Sequence, residues 1–333
     1  MSLREADIRP ADLLGEYLRL NEADGRALLT NTGDLEHRAC PGCGADTPIT
    51  AFDKNGFKLV RCGGCDSLYV NPVPSANSLA AFYRDGHSSQ YWATVFFPAV
   101  AEARRRPIYR PRAERVAAYA GDPRRLIDVG AGAGLFLEEF HALRPQVAIG
   151  AVEPGTAHVA ELRQKGIDTL EGFAHEASAW ASSADVVTCF EVLEHVGDPA
   201  ALFGDLAALA RPGGLIIVSG LSGGGFDIQT LGVYSKPVSP PHHLTFLSIA
   251  GAEKLLARCG LDIIEICTPG ELDVDIVRNV ALENPEVLGD PDVRHLILEA
   301  DAAARRDFQE ELKKSRRSSH MWIVARRPDR GAP

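Results

Sequence analysis

The sequence predicts an α/β protein in which an open, mostly parallel sheet of seven strands follows a small cysteine-rich module. Three observations carry this prediction: two Cys-x2-Cys pairs near the N-terminus, a strand–glycine turn–helix stretch at residues 125–143, and a later series of apolar strands separated by helical segments. Strands that alternate with helices are typical of a parallel sheet covered on both faces. The 333 residues suffice for one large core and a smaller second one.

Composition and charge exclude several functional classes. Hydrophobic residues make up 45% of the chain and charged residues 24%, which is ordinary for a globular protein. No apolar run approaches the length of a membrane span, and the N-terminus lacks the apolar core of a signal peptide, so we expect a cytoplasmic protein without a membrane partner. The net charge of −10 argues against broad binding to nucleic-acid phosphates.

The N-terminal segment, residues 1–35, contains a candidate helix. Its sequence "PADLLGEYLRLNEADGRALL" places apolar residues near helical spacing. The segment therefore predicts one amphipathic helix ahead of the cysteines.

Four cysteines in residues 36–75 predict a structural zinc ribbon. Cys40 and Cys43 are separated by eighteen residues from Cys62 and Cys65, and each pair flanks glycines that permit a tight turn. Two such turns supply a tetrahedral site of four sulfurs, whereas a redox dithiol needs only one pair. "FKLVRC" and "SLYVNP" read as strands of the ribbon. The other cysteines, Cys189, Cys259 and Cys267, are most simply core residues.

The net charge of the ribbon indicates what kind of molecule it can bind. Four basic and four acidic residues cancel between Glu36 and Pro74, which is a poor footprint for RNA or DNA. We therefore expect the ribbon to pack on the neighbouring domain or to help cover a substrate.

Residues 76–120 are predicted to form a helical linker or cap. The aromatic stretch "FYRDGHSSQYWATVFF" suits either core packing or an acceptor-site wall. An arginine run follows, and it permits two interpretations: a solvated helix face, or a site for a phosphorylated substrate. Its members are Arg104, Arg105, Arg106, Arg110, Arg112, Arg115, Arg124 and Arg125.

The stretch "RRLIDVGAGAGLFLEEF" predicts a nucleotide-type site. A short apolar strand leads into Gly130, Gly132 and Gly134, and a helix with apolar periodicity follows. Glycines let the backbone approach a ligand, and a helix N-terminus adds oriented amides. A glycine turn alone is weak evidence. Here a second strand, "VAIGAVE", ends in Glu153, an acid placed to bind both ribose hydroxyls of a nucleoside cofactor.

Asp128 and "GAGAG" together resemble the first motif of class I S-adenosylmethionine-dependent methyltransferases, and "DVV…EVLEHV…RPGG" resembles the fourth and fifth. The resemblance implies a Rossmann-like methyltransferase domain at residues 121–327, with the last strand antiparallel and residues 268–318 as an insertion or lid. It implies S-adenosylmethionine as the cofactor. The cofactor-binding residues would be Asp128, Gly130, Ala131, Gly132, Gly134, Glu153, Pro154 and Glu191.

Three histidines are candidates for a general base. An imidazole with a pKa near neutrality suits removal of a hydroxyl proton. His195 ends the stretch "FEVLEHV", while His242 and His243 lie in "SPPHHLTFLS". The second stretch resembles a P-x-H-L-x-x-F-S motif of methyltransferases in polysaccharide and natural-product clusters, and His243 occupies the matching position. The alternative roles are helix capping for the loop histidine and packing beside the cofactor for His195.

A divalent metal is a further alternative. If "EVLEH" turns helically, Glu191 and Glu194 share one face, and with His195 and a histidine at 242–243 they can hold Mg²⁺ or Mn²⁺. This set resembles that of small-RNA 3′-end methyltransferases and of ubiquinone-pathway O-methyltransferases. The same letters also occur in metal-independent relatives, where they border the cofactor.

The order of ribbon and core resembles that of two groups of methyltransferases. The first comprises the sugar C-methyltransferases that act on nucleotide-linked deoxysugars, together with their relatives from polysaccharide clusters. The second comprises the zinc-ribbon ribosomal-RNA methyltransferases. The neutral ribbon favours the first group. We predict methylation of a hydroxyl on a sugar, a nucleotide-linked sugar or a secondary metabolite, with homodimerisation left open. C-methylation is the alternative, although only Tyr234 stands where those enzymes carry a tyrosine-rich loop. An RNA methyltransferase and an NAD-dependent oxidoreductase are more distant alternatives.

Overall fold

A seven-stranded sheet forms the centre of the protein. The computed structural model describes residues 4–30 and 34–329. The strands of this sheet follow the order β12-β13-β10-β9-β6-β7-β8, and only β13 runs antiparallel to its neighbours. The prediction of a mostly parallel α/β sheet with an antiparallel last strand is therefore confirmed. The strands are β6 (Arg125–Val129), β7 (Ala148–Glu153), β8 (Asp168–Glu171), β9 (Ala184–Phe190), β10 (Ala210–Leu221), β12 (Asp262–Cys267) and β13 (His320–Arg326).

Apolar residues on both faces of the central strands explain why the sheet is covered by helices on both sides. Leu126 pairs with Val186 and packs toward one set of helices, while the next pair, Ile127 and Val187, packs toward the other. Successive side chains in a strand point to opposite faces, so a continuous apolar run requires two covering layers. The first layer holds α6 (Arg110–Ala120), α7 (Leu135–Leu143) and α8 (Thr156–Gln164), and the second holds α9 (Pro199–Leu209) and α11 (Ile249–Arg258).

The cysteine-rich module is a second, four-stranded sheet with the order β11-β4-β3-β2. Its strands are β2 (Pro48–Lys54), β3 (Phe57–Cys62), β4 (Leu68–Val70) and β11 (Thr245–Phe246), and a short ladder joins β1 (Leu35–Glu36) to β5 (Val73–Pro74). The strands expected in "FKLVRC" and "SLYVNP" are present. The sequence analysis did not predict β11, which comes from the loop after the fifth strand of the central sheet and pairs antiparallel with β4.

The N-terminal segment and the linker form one helical layer. The predicted helix is present as α2 (Ala11–Leu28), after the short α1 (Glu5–Ile8). The linker contains α3 (Ala76–Asp85), α4 (His87–Tyr91) and α5 (Phe97–Arg104), with π-helical turns at Trp92–Phe96 and Arg105–Tyr109. Tyr17 of α2 packs on the stacked rings of Trp92 and Phe96, so the aromatic residues of the linker serve mainly as a core between the two helical segments.

Residues 268–318 fold as a small helical unit with an apolar cluster of its own. It contains α12 (Asp273–Glu283), α13 (Pro291–Arg294) and α14 (Ala302–Lys314), and it packs on α10 (Phe226–Leu231). Residues 290–316 do not form one continuous helix. The chain breaks at Ala300 and Asp301, and the Asp301 side chain accepts a hydrogen bond from the Ala304 amide, which starts a new helix. Within the described ranges, no helix combines the length and apolarity needed to cross a bilayer.

Truncation of a fully buried aromatic side chain tests the second helical layer. Phe203 of α9 is 0% exposed, so Phe203→Ala should lower the free energy of unfolding by about 3–5 kcal/mol. Ile264 is 43% exposed on the edge strand β12, and Ile264→Ala should cost less than about 0.5 kcal/mol. Urea unfolding of both variants measures the difference. Equal costs would contradict the packing described here.

Candidate functional site

The three glycines of the turn after β6 have different structural roles. All three adopt positive φ: 73° at Gly130, 53° at Gly132 and 79° at Gly134. A Cβ on Gly130 would lie 2.6 Å from Val192, and one on Gly134 would lie 2.6 Å from Leu162, so both glycines make room for packing. A Cβ on Gly132 would meet no atom within 4 Å. Gly132, with Ala131 beside it, is therefore where a ligand can approach the backbone.

Glu153 lies at the carboxyl end of β7, directly beside this turn. Its carboxylate accepts hydrogen bonds from the Gly132 amide at 2.9 Å and from the Gly155 amide at 2.8 Å. These bonds connect the glycine turn to the loop that contains Pro154. The side chain is 7% exposed, and a carboxylate has further acceptor positions for ribose hydroxyls.

Asp128 lies beneath the turn. Its carboxyl accepts a hydrogen bond from the Thr188 hydroxyl at 2.6 Å and joins β6 to β9. Burial raises the pKa of Asp128 to about 7, against the opposing influence of Thr188 and Arg112. With 3% exposure, Asp128 supports the turn from below.

Glu191 follows β9 at a φ of 56°, and this backbone geometry directs its side chain toward β10 and β13. Its carboxylate accepts hydrogen bonds from Arg112 at 2.8 Å, from Ser219 at 2.6 Å and from His320 at 2.9 Å. Loss of water around the carboxyl acts to raise its pKa, but the charges of His320 and Arg112 outweigh this and hold the pKa well below its usual range. Glu191 is therefore held in its ionised form by hydrogen bonds from Arg112, Ser219 and His320.

Arg112 is a site residue that the sequence analysis did not single out. Its guanidinium lies 4.6 Å from the ring centroid of Phe190, and its side chain is only 7% exposed. Nothing in the local pattern distinguishes Arg112 from the other arginines of the run. Four of the other arginines pair with carboxylates other than Glu191: Arg105 with Glu138 and Glu139, Arg110 with Glu114, Arg115 with Glu265, and Arg125 with Asp168. Much of the run is therefore engaged by carboxylates, and a site for a phosphorylated substrate stays a prediction.

The segment after Glu191 is a turn, so the expectation that Glu191 and Glu194 share a helical face is wrong. Glu194 instead belongs to a cluster with His195 and His243, in which one ligand atom of each residue lies within 4.8 Å of the others. Glu194 is 2% exposed, and its Oε2 has no hydrogen-bond partner. Burial and the charge of Glu191 raise the pKa of Glu194 well above its usual range.

Hydrogen bonds determine which ring nitrogen each cluster histidine presents. The Tyr83 hydroxyl donates to the main-chain oxygen of His242 at 2.9 Å, so its oxygen accepts from His195 Nδ1 at 3.0 Å. His243 Nδ1 donates to the Pro237 carbonyl at 2.6 Å. Both histidines therefore keep an unprotonated Nε2. Burial lowers the pKa of His195 well below its usual range and that of His243 to about 4.

His242, the third candidate base, lies in an aromatic cluster. Its ring centroid is 4.6 Å from that of Phe82 and 5.4 Å from that of Tyr17. Its Nε2 is 3.0 Å from the Ser88 hydroxyl, which in turn donates to Asp24. Burial lowers the pKa of His242 to about 3. His242 therefore packs among aromatic rings and borders the cluster, with its ring centroid 6.3 Å from that of His195, but it is not one of the three converging residues.

The four ribbon cysteines converge. Their sulfurs all lie within 4.8 Å of one another, with 3.5 Å between Cys40 and Cys65 and 3.4 Å between Cys43 and Cys62. A tetrahedral zinc site with bonds of about 2.3 Å places its sulfurs about 3.8 Å apart. The Gly64 amide also donates to Cys62 Sγ at 3.3 Å, as in turns that bind metal through thiolates. The donor set and spacing therefore fit a closed zinc site.

The zinc prediction is tested by metal content. Mass spectrometric metal analysis of purified protein should find a single zinc ion per chain, and Cys62→Ser should lower both the zinc content and the melting temperature, because a tetrahedral site loses one ligand. Cys259→Ser is the matched control, since Cys259 lies outside the cluster and contacts Ala200. Zinc-free wild-type protein would exclude the site.

Comparison with known proteins gives a consistent family. The family model described as "Methyltransferase domain" matches residues 101–266. Among curated relatives, the "Ubiquinone biosynthesis O-methyltransferase" of Aromatoleum aromaticum is 31% identical over 185 residues, covering 53% of this chain and 70% of the relative. The protein of the same name from Saccharophagus degradans is 32% identical, with 53% and 72% covered.

Among solved structures, the chain is similar to a putative sarcosine dimethylglycine methyltransferase from Galdieria sulphuraria, at 16% identity and a TM-score of 0.44, with 69% of this chain and 88% of that chain covered. The family match and the relatives leave the resemblance to sugar methyltransferases unconfirmed. Together with the glycine turn and Glu153, they show that the chain belongs to the class I S-adenosylmethionine-dependent methyltransferases.

Proposed function

We propose that this protein transfers a methyl group from S-adenosylmethionine to a hydroxyl of a small molecule at the cluster of Glu194, His195 and His243. The observation that carries the proposal is the convergence of one carboxylate and two imidazoles, each with an unoccupied acceptor atom, just beyond the carboxyl end of β9. In open α/β sheets, ligands bind at this edge. Relatives named as O-methyltransferases support a hydroxyl acceptor.

The cofactor would lie across the carboxyl ends of β6, β7 and β9. Gly132 offers open space above its backbone, and Glu153 offers acceptor positions for the ribose. The ion pair of Arg112 and Glu191 would border the methionine end, where an ammonium and a carboxylate need opposite charges. The bound cofactor supplies an activated methyl group, so the protein's own contribution is to align the acceptor oxygen and exclude water.

His243 is the proposed base. Its Nδ1 is held by the Pro237 carbonyl, which leaves Nε2 to accept the proton of the acceptor hydroxyl. His195 would complete the wall through its bond to Tyr83.

The alternative is that the cluster binds a divalent cation. Glu194, His195 and His243 would hold the ion, which would polarise the acceptor hydroxyl. Two imidazoles and one carboxylate suit a transition metal such as Mn²⁺ better than Mg²⁺, which prefers oxygen ligands. The orphaned Oε2 of Glu194 favours this alternative, since an unpaired buried carboxylate oxygen is costly.

The acceptor class is proposed from chemistry rather than from contacts. A phenol, a sugar and a secondary-metabolite hydroxyl all present the oxygen that the cluster requires. The relatives' name favours a phenolic acceptor, whereas the ribbon-plus-core layout keeps the prediction of a sugar or nucleotide-linked sugar. Tyr234 is 53% exposed and does not line the cluster, which gives C-methylation no support.

The cofactor site is tested by a valine at Gly132. Gly132→Val should abolish binding of S-adenosylhomocysteine in calorimetry, because the side chain enters the open space that the ligand needs. Gly121→Val is a matched control: Gly121 also has positive φ, at 64°, and no atom within 4 Å of a Cβ, but it follows α6 away from the turn. Equal loss in both variants would attribute the effect to backbone strain and contradict the assignment.

The acceptor cluster is tested by methyl transfer. Incubation with S-adenosylmethionine and a panel of catechols, sugars and nucleotide-sugars should give a methylated product, detected by mass spectrometry. His243→Asn should lower kcat by a factor of about 10²–10⁴, as expected for a general base. Since burial lowers the pKa of His243 to about 4, wild-type rates should fall only as the pH drops toward that value. His141→Ala, on the surface of α7, should leave kcat unchanged.

The two forms of the cluster differ in their response to metal. Activity that survives EDTA but is lost in His243→Asn indicates a base without a metal. Activity that EDTA removes and Mn²⁺ restores indicates the metal form, and Glu194→Gln should then weaken the response to Mn²⁺. Full activity in His243→Asn with EDTA present would exclude both forms.

A further inference from the structure

The loop that carries His243 is built into the ribbon. Strand β11 begins two residues after His243 and pairs with β4, through Thr245 opposite Tyr69. The Val70 amide also donates to the Leu244 carbonyl at 2.9 Å. The acceptor side therefore shares backbone hydrogen bonds with the cysteine-bearing sheet, whereas the glycine turn does not take part in that sheet.

Arg38 joins the ribbon to both acceptor loops. Its guanidinium donates to the Leu244 carbonyl at 2.9 Å and to the Thr245 hydroxyl at 3.2 Å. It also donates to the carbonyls of Gly197 and, at 3.2 Å, of Val70. One side chain thus binds the loop after Glu194 and His195, the loop after His243, and the ribbon strand β4. Only a planar fork with several donors can satisfy oxygens in so many directions.

The cysteine turn at Cys40 fixes the position of the backbone next to Arg38. Arg38 lies two residues before Cys40, whose amide donates to the Ala45 carbonyl at 2.9 Å and whose carbonyl accepts from the Gly44 amide. The Arg38 amide donates to the Asn71 side chain at 3.1 Å. Because Cys40 is also one of the four converging thiols, a metal held by them would fix the chain just after Arg38.

The other end of the acceptor loop contacts the second pair of cysteines. The Ser248 hydroxyl donates to the Cys65 carbonyl, and the Ser248 amide donates to the Ser67 hydroxyl at 3.1 Å. The helix α11 begins directly after Ser248, and its Arg258 donates to the carbonyl of Gly42, between the first pair of cysteines, at 2.8 Å. The segment from His243 to Ser248 is therefore held at both ends by residues that neighbour the thiols.

We propose that Arg38 is a positioning residue that couples the four-cysteine site to the acceptor cluster. It holds the loops of Glu194–Gly197 and Leu244–Thr245 together, so that the imidazoles of His195 and His243 keep their geometry. Zinc then serves acceptor-side alignment in addition to the ribbon fold. This inference rests on the proposed zinc site and on the proposed role of the histidine cluster.

The test compares Arg38→Gln with Arg61→Gln. Arg61 is a matched control because it lies on the ribbon strand β3 and contacts Asp66, without reaching the acceptor loops. Both variants should keep zinc and bind S-adenosylhomocysteine with affinities within about twofold of wild type. Only Arg38→Gln should speed hydrogen exchange, by about tenfold or more, at the amides of Leu244 and Thr245, which donate to the Glu194 carbonyl.

A spectroscopic readout separates positioning from general loosening. Imidazole ¹⁵N NMR of wild-type protein should show His195 and His243 as Nδ1–H tautomers, and Arg38→Gln should change both signals while leaving exposed His141 unchanged. Removal of zinc from the wild type should produce the same changes. In Arg38→Gln, removal of zinc should cause little further change in the imidazole signals of these two histidines. Both changes break the same link between the ribbon and the cluster, so their effects should not add.

Each other outcome overturns the proposal. If Arg38→Gln matches Arg61→Gln in exchange and imidazole signals, Arg38 does not position the cluster. If Arg38→Gln loses binding of S-adenosylhomocysteine, its role is general to the fold. If zinc removal leaves Leu244, Thr245 and both histidines unchanged, the metal is not coupled to them. Failure of the wild type itself to bind S-adenosylhomocysteine would instead count against the proposed function, and the exchange comparison would still decide the role of Arg38.

Discussion

Two hydrogen bonds to one carbonyl oxygen hold the proposed acceptor side together. The main-chain oxygen of Glu194 accepts from the amides of Leu244, at 2.7 Å, and Thr245, at 3.1 Å. These bonds join the loop after β9 to the loop that leads into β11, although Glu194 and Leu244 are fifty residues apart in sequence. They bring the Glu194 carboxyl and the rings of His195 and His243 into one cluster. The Thr245 hydroxyl, which donates to the Val196 carbonyl at 3.0 Å, and the Arg38 guanidinium add further bonds between the same two loops.

Glu191 and Glu194 are close in sequence but lie in different environments. Glu191 adopts positive φ and is ionised between Arg112 and His320, whereas Glu194 is buried with one oxygen unpaired. Two carboxylates in one dry site repel each other, and this repulsion is relieved when one is paired with the Arg112 guanidinium and the other accepts a proton or a metal. The backbone turn at Glu191 is what assigns the two acids to different environments.

The fold and the contact between Gly132 and Glu153 were predictable because their signals are local. Apolar runs marked the central strands, and the strand–glycine turn–acid spacing placed Gly132 next to Glu153. The acceptor side depends on contacts between distant residues. No local pattern distinguished Arg112 among eight arginines or Arg38 near the ribbon, and the helical interpretation of "EVLEH" failed because it ignored the turn that tertiary contacts impose.

This division follows from how the two halves are built. The cofactor half rests on one β-turn-α unit and the next strand, so a single chemical group, the cofactor, suffices to explain its residues. The acceptor half combines α3, the loop after β9, the loop after β10 and the ribbon, through Tyr83, Glu194, His243 and Arg38. The geometry of this cluster therefore depends on four elements that are distant in sequence, whereas the contact between Gly132 and Glu153 joins the ends of two neighbouring strands of one sheet.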